Sequence, residues 1–366
     1  MAGFCGCCQS DNTGSFSATS AIAVDAECLL TGRLFLFYSL VCWGRSNLMK
    51  EKSPVFIVGP GRSGTSLLYR ILQKHPVFEP QNCAVSVDLT ESQVFSAPES
   101  IYDKERKPGV GAYSYMLFDD SLFNEFTSSL YWTMRWQKVL GTGVLSRGHH
   151  IFASRLSFNG GLRKLFWRLY RGPITVRSFF ETARKARGVE RILEKTPQHL
   201  QRIPEIKCTY PDCKIVGIVR HPIDVFTSHR RRYQAERGTG ASGDQMKWLN
   251  FTVEQFCERF AVYEDIIRHE NCRNGGSVIW VRYEDLTTSP QKTLQRILLF
   301  LGENYEEKCV VKDETKQLYW EIDPYLFDEI HTKTKDWRVF VEQGEAEYIE
   351  TTLKPQMKRL GYQRYT

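Results

Sequence analysis

The chain has 366 residues and no long apolar run. A membrane-crossing helix needs about 20 apolar residues in succession. The apolar piece at 34–43 has ten and is bounded by Arg33 and Arg45. No basic region precedes it near the terminus, so it does not read as a signal peptide either. Cysteine is present, at eleven, but without pattern. The number is odd, and Cys5, Cys7, Cys8, Cys28 and Cys42 crowd into the first 48 residues. No spacing matches a zinc site. Cys208 and Cys213 are near enough in sequence to bridge, but free thiols are the preferred reading. There is no internal repeat, no aromatic-interleaved basic platform and no nucleic-acid reader motif, which excludes nucleic acid as a partner. Charge is only mildly one-sided: 49 Lys and Arg against 42 Asp and Glu give a net +7. That excess serves solubility, or a basic cleft for a polyanionic ligand.

What is present is core-forming. Hydrophobic residues make up 42% and aromatics 13%, which suits a packed domain rather than a disordered chain. Residues 1–48 differ from the rest: they are rich in Ser, Thr, Ala and Gly and nearly aperiodic. They are read as a poorly structured extension, with three accounts in competition. One is a disordered tail. Another is weak membrane association through acylated Cys5, Cys7 and Cys8. The third is an artefact of start-codon choice, favoured by Met49 just before the first strand. Residues 49–366 are expected to form one large α/β domain, long enough to bury roughly three quarters of its unfolded surface. Expected strands lie at 54–59, 191–194, 213–219 and 278–282. Expected helices lie at 65–75, from 222, and at 246–270, 290–301 and 344–360. Between 112 and 187 the pattern is mostly helical and aromatic, a helical insertion suited to shaping a pocket. Strands alternating with helices imply a parallel sheet with right-handed crossovers.

The most informative stretch is 55–75. An apolar run meets Gly59-Pro60-Gly61-Arg62-Ser63-Gly64-Thr65-Ser66, and a helical pattern follows. Strand, glycine loop and helix make a phosphate cradle, because inward N–H groups and the helix N-terminus favour an anion. A nucleotidase loop reads G-x-x-x-x-G-K-[ST]. Here Thr65 takes the lysine position and the cation is Arg62. A second signal follows the apolar run at 213–219: Arg220-His221-Pro222-Ile223-Asp224, then Ser228. Pro222 suits a first helical turn, which sets Asp224 and Ser228 one turn apart. Arg220 and Ser228 are thereby placed to hold one further phosphate. The run Arg230-Arg231-Arg232 continues the same helix, as a solvated face or as part of a basic cleft.

Taken together, these motifs resemble the sulfotransferases that use 3′-phosphoadenosine 5′-phosphosulfate (PAPS). Residues 60–66 resemble the family's 5′-phosphosulfate loop, and 220–228 its R-x-P-x-D-x-x-x-S motif for the 3′-phosphate. Glu194-Lys195-Thr196-Pro197 and Arg282-Tyr283-Glu284-Asp285-Leu286 also fit, and the likeness runs from Pro54 to Tyr362. It is nearer to bacterial and Golgi-type enzymes, among them tyrosylprotein and glycan sulfotransferases, than to cytosolic small-molecule ones. In those the loop usually carries lysine and a C-terminal Arg-Lys-Gly occurs, which this chain lacks.

The resemblance implies a P-loop-type α/β fold and sulfonate transfer without a metal, leaving adenosine 3′,5′-bisphosphate. It implies donor binding by Gly61, Arg62, Ser63, Gly64, Thr65, Ser66, Arg220 and Ser228, with Tyr283 against adenine. Lys195 resembles the lysine that touches the transferred sulfonate. Three residues compete as general base: Glu91 first, then Glu194, then His199. The stretch 333–338 is a loose match to a segment closing over the nucleotide. The acceptor is read only as a small molecule, glycan or tyrosine-containing chain. The location is read as cytoplasmic, with Golgi or membrane association as alternatives. The competing readings are a P-loop kinase or NTPase, and a nucleotide-binding protein without catalysis.

Overall fold

The structure is a computed structural model that describes residues 52–81, 89, 91–96, 173–238, 246, 249–274, 276–311, 330 and 336–365. The extension at 1–48, the aromatic stretch up to 172 and the glycine-rich segment at 239–243 lie outside them. Four strands form one parallel sheet in the order β2-β1-β3-β4. They are β1 (Val55–Val58), β2 (Leu193–Lys195), β3 (Lys214–Val219) and β4 (Val278–Arg282). β1 reads Val-Phe-Ile-Val and is buried throughout, as a central parallel strand covered on both faces must be. Its register sets Phe56 beside Glu194 and Ile57 beside Lys195 on one flank, and Val58 beside Gly217 on the other.

Alternation along the strands splits the core in two. Phe56, Val58 and Ile215 face one layer of helices, α2 (Pro173–Arg187) and α5 (Val253–Asn274), through Phe179, Phe180, Phe256 and Phe260. Val55, Ile57, Val216 and Ile218 face the other, α1 (Thr65–Gln73) and α7 (Pro290–Leu301), through Leu68, Ile71, Leu294 and Leu298. Each such side chain contributes roughly 1.5–3 kcal/mol by leaving water. The remaining described helices are α3 (Ile203–Thr209), α4 (Pro222–Gly238), α6 (Tyr283–Thr288), α8 (Gln343–Thr352) and α9 (Lys354–Arg359). The three-layer parallel α/β architecture agrees with the sequence expectation.

Three details differ from it. Helix α5 begins at Val253 rather than 246, because Thr252 and Gln255 form a capping box: each side chain accepts the other's backbone N–H, at 3.4 and 3.1 Å. The C-terminal helix is broken at Leu353, since Pro355 in the next turn has no N–H to give. The basic run on α4 is no open patch: Arg230 pairs with Glu345 at 2.7 Å and Arg232 with Glu236 at 2.5 Å. Cys208 and Cys213 are free thiols. Of the 333–338 stretch, 333–335 lie outside the described residues; Trp337 packs into the core and Arg338 pairs with Asp336 at 3.4 Å.

Candidate active site

The glycine loop leaves the carboxyl end of β1 and returns as α1. Two close approaches fix its path. A Cβ on Gly59 would stand 2.3 Å from the carbonyl oxygen of Ile218, and one on Gly64 would stand 2.4 Å from Cδ2 of Tyr283. Gly64 also has φ +99°, which side chains rarely adopt. A turn closes between the Ser63 N–H and the Pro60 carbonyl at 3.2 Å. The Ser63 hydroxyl is fully buried and has no hydrogen-bond partner among the described residues. Arg62 sits at φ 68°, and its Nε donates to Ser228 Oγ at 3.1 Å.

That bond joins the loop to the second motif, 166 residues away. Arg220 follows β3 directly. Its guanidinium lies 4.3 Å over the ring of Tyr283, the same ring that blocks a Cβ at Gly64. Arg220 Nε has no hydrogen bond among the described residues and stands 3.7 Å from Asp224 Oδ2. Burial pushes the Asp224 carboxyl up, against the opposing pull of Arg220 and the Tyr365 hydroxyl. Arg62, Gly64, Arg220, Ser228 and Tyr283 thus form one contact chain. A residue that sequence reasoning missed lies beneath them. His229 is bonded to the Gly61 backbone and packs edge-on against Phe251 at 4.8 Å. Burial, helped by Arg62 and Arg259, pushes its imidazole down to about 3.

The third element is the edge strand β2. Lys195 donates its backbone N–H to Leu89 O at 3.0 Å and accepts from the Glu91 N–H, which seats residues 89–91 beside the sheet. The fully buried Lys195 ammonium meets Glu91 Oε1 at 2.9 Å, while Glu91 keeps 18% side-chain exposure. Glu91 and Gln93 have φ 61° and 54° and, with Arg62, are the non-glycine residues in the left-handed region among those described. Such conformations cost of order 1–3 kcal/mol each and gather at functional sites.

Glu194 and His199, expected as rival bases, lie elsewhere. The strand alternates, so Glu194 faces away from Lys195, beside Phe56. It accepts from Ser92 Oγ at 2.6 Å, Thr196 Oγ1 at 2.5 Å and His199 Nδ1 at 3.1 Å. His199 Nε2 accepts the Phe95 N–H at 3.2 Å, which assigns the ring proton to Nδ1. Thr196 Oγ1 accepts the Gln93 N–H at 3.2 Å. Glu194, Thr196 and His199 are wholly buried. They hold the loop that carries Glu91 through Ser92, Gln93 and Phe95. Among the three candidates, the structure sets only Glu91 against Lys195.

The arrangement fits a nucleotide with two anionic ends. The loop N–H groups, the Ser63 hydroxyl, unpartnered among the described residues, and Arg62 suit one anion. Arg220 and Ser228 suit another. An uncharacterized protein of Aquifex aeolicus (strain VF5) is 20% identical over 268 residues, which are 73% of this chain and 28% of that relative. The match thus spans just over a quarter of that relative's length. Two solved structures are similar. The sulfotransferase domain from the curacin biosynthetic pathway is 14% identical, covering 85% of this chain and 98% of that one at a TM-score of 0.47. The sulfotransferase domain from the Synechococcus PCC 7002 olefin synthase is 15% identical, covering 86% and 97% at a TM-score of 0.48. The sequence profile of the sulfotransferase family matches residues 54–307, from the residue before β1 to beyond α7. That stretch takes in the loop, Glu91, Lys195, Arg220, Ser228 and Tyr283, and by it this chain belongs to the sulfotransferase family.

Proposed function

We propose that residues 49–366 move a sulfonate group from PAPS to a hydroxyl or amine of an acceptor, by in-line displacement. The observation that carries this is the Arg62–Ser228 hydrogen bond, which brings the two anion motifs together within one donor's reach. When bound, PAPS supplies a sulfonate joined to phosphate, a good leaving group. Arg62 and the N–H groups of 63–66 neutralise the charge that grows on the oxygen between sulfur and phosphorus. Lys195, at the carboxyl end of β2 beside the strand that feeds the loop, holds the sulfonate oxygens. Arg220 and Ser228 hold the 3′-phosphate. Tyr283 backs the Arg220 guanidinium and packs close to Gly64. Glu91 takes the acceptor's proton as the acceptor–sulfur bond forms and the sulfur–oxygen bond to the donor breaks, and adenosine 3′,5′-bisphosphate is left. A carboxylate in that role is worth roughly 10²- to 10⁴-fold.

The test is incubation with radiolabelled PAPS against a panel of glycans, phenols, lipids and tyrosine peptides, alongside thermal melting. Labelled product and a melting shift with adenosine 3′,5′-bisphosphate are expected. A shift with ATP and magnesium but none with the bisphosphate would replace this reading with a kinase or NTPase. Among the described residues no helix is long and apolar enough to cross a membrane. The cytoplasmic location is part of the proposal, and a fluorescent fusion of the whole chain that localises to the Golgi would displace it.

A further inference from the structure

The family match ends at residue 307, yet residues 361–365 are anchored on the 220–228 motif and on Arg282 and Glu284. Arg282 Nη1 donates to Gly361 O at 3.0 Å, and its guanidinium lies 4.5 Å over the Tyr362 ring. The Tyr362 hydroxyl donates to Glu284 Oε2 at 3.0 Å, while Glu284 Oε1 accepts the His221 backbone N–H at 2.9 Å. His221 Nε2 donates to Gln363 O at 2.9 Å, and its Nδ1 accepts the Ile223 N–H at 3.3 Å. Tyr365 then lies flat on His221, with centroids 3.8 Å apart and planes at 7°. Its backbone N–H is held by Glu350, and its hydroxyl donates to Asp224 Oδ2 at 3.2 Å.

Asp224 Oδ2 is also the oxygen that faces Arg220 Nε at 3.7 Å, too far for a hydrogen bond. Two donors contend for one carboxylate oxygen, and the phenol holds it. We propose that Tyr365 is a positioning residue for the 3′-phosphate. By tethering Asp224 it holds the carboxylate 3.7 Å from Arg220, and so leaves Arg220 Nε–H without a protein acceptor among the described residues. The segment 361–365 thereby sets discrimination between nucleotides with and without a 3′-phosphate. This inference rests on the donor reading above.

The physical consequence is specific. In Tyr365→Phe the ring still stacks on His221, but Asp224 Oδ2 loses its donor and closes on Arg220, which then answers a phosphate less well. Calorimetry on the full chain measures Kd for adenosine 3′,5′-bisphosphate and for adenosine 5′-monophosphate. Tyr365→Phe is expected to raise Kd for the bisphosphate roughly three- to tenfold, the size of one hydrogen bond, with the monophosphate unchanged. Tyr365→Ala is expected to shift the bisphosphate at least as far. Equal losses for both ligands, with a lower unligated Tm, would make the segment a plain brace and overturn the inference. So would no loss for either ligand while the wild type still prefers the bisphosphate. A wild type without that preference sinks the donor reading, and this inference with it.

Discussion

Glu194 and Lys195 are adjacent on β2 and point to opposite faces of the sheet, and the two faces differ in kind. Around Glu194 the polar groups are partnered inside the fold: Ser92, Thr196 and His199 supply the donors, and Phe95 and Gln93 complete the network. Around Lys195 and the loop the polar groups are incompletely partnered among the described residues. Glu91 is part exposed, while the Ser63 hydroxyl and Arg220 Nε lack hydrogen bonds among the described residues. A satisfied buried network fixes geometry, and an incompletely satisfied one is poised to bind. Arg62 and Glu91 are left-handed, as is Gln93 within the buried network, whose bonds hold the loop that carries Glu91.

The widest separation of the two faces comes from their carboxylates. Glu91→Gln is expected to lower turnover roughly 10²- to 10⁴-fold while Kd for adenosine 3′,5′-bisphosphate stays at the wild-type value. Single-turnover assays with radiolabelled donor, paired with calorimetry, read both quantities. Turnover within a factor of two of wild type would remove Glu91 from the chemistry and erase the contrast. Next in size is Arg220→Ala. It is expected to weaken the bisphosphate about 100-fold, as losing one partner of a close charge pair does, and to leave adenosine 5′-monophosphate nearly untouched. A uniform loss for both nucleotides would mean that the guanidinium braces Tyr283 instead of reading the 3′-phosphate.

The far face should fail differently. Glu194→Gln keeps the shape but sets an amide N–H₂ among groups that are themselves donors. It is expected to cost ~2 kcal/mol of stability, read as a fall in Tm of several degrees. Turnover should fall less than in Glu91→Gln, because Glu194 acts only through the placement of Glu91. If Glu194→Gln abolished turnover at unchanged Tm, the two faces would have to exchange roles.

Much of this was legible where sequence and space run together. Residues 55–75 are contiguous, so strand, loop and helix could be read directly. Arg220 follows β3 two residues before α4 begins, and Asp224 and Ser228 share that helix, whose turn sets their spacing. β4 and α7 were placed to the residue, and Gly302 stops α7 as expected. Parity sets Glu194 on the face away from Lys195, and His199, in the turn after β2, bonds to it there. The expected strand ended at 194, whereas β2 continues through Lys195, and only the register shows which neighbour faces the loop. Tyr365 and His229 were out of reach altogether. Each matters through residues distant in sequence or through burial, and no local pattern marks a tyrosine that will lie on His221 or a histidine that will sit under Gly61. The start of α5 is the opposite case: Thr252 and Gln255 spell a capping box that was passed over.

The smallest effect tests the floor beneath the loop. His229 is pushed down to about 3, mainly by burial. An unfolded histidine titrates near 6.5. Above pH 6.5 the imidazole is neutral in both states, and its contribution to stability is full. Below it the unfolded chain takes up a proton that the native chain refuses until about pH 3, so stability is lost as pH falls through that window. The slope is about 1.4 kcal/mol per pH unit for one proton. His221 is pushed the same way by burial and adds to the loss. Denaturant midpoints at pH 7.5, 6.0 and 5.0 give the total, and His229→Gln is expected to flatten it by one proton while leaving the slope due to His221. Removing His229 with no change in slope would mean that the imidazole beneath Gly61 takes its proton at an ordinary pH. The cation would then stand directly under the anion cradle.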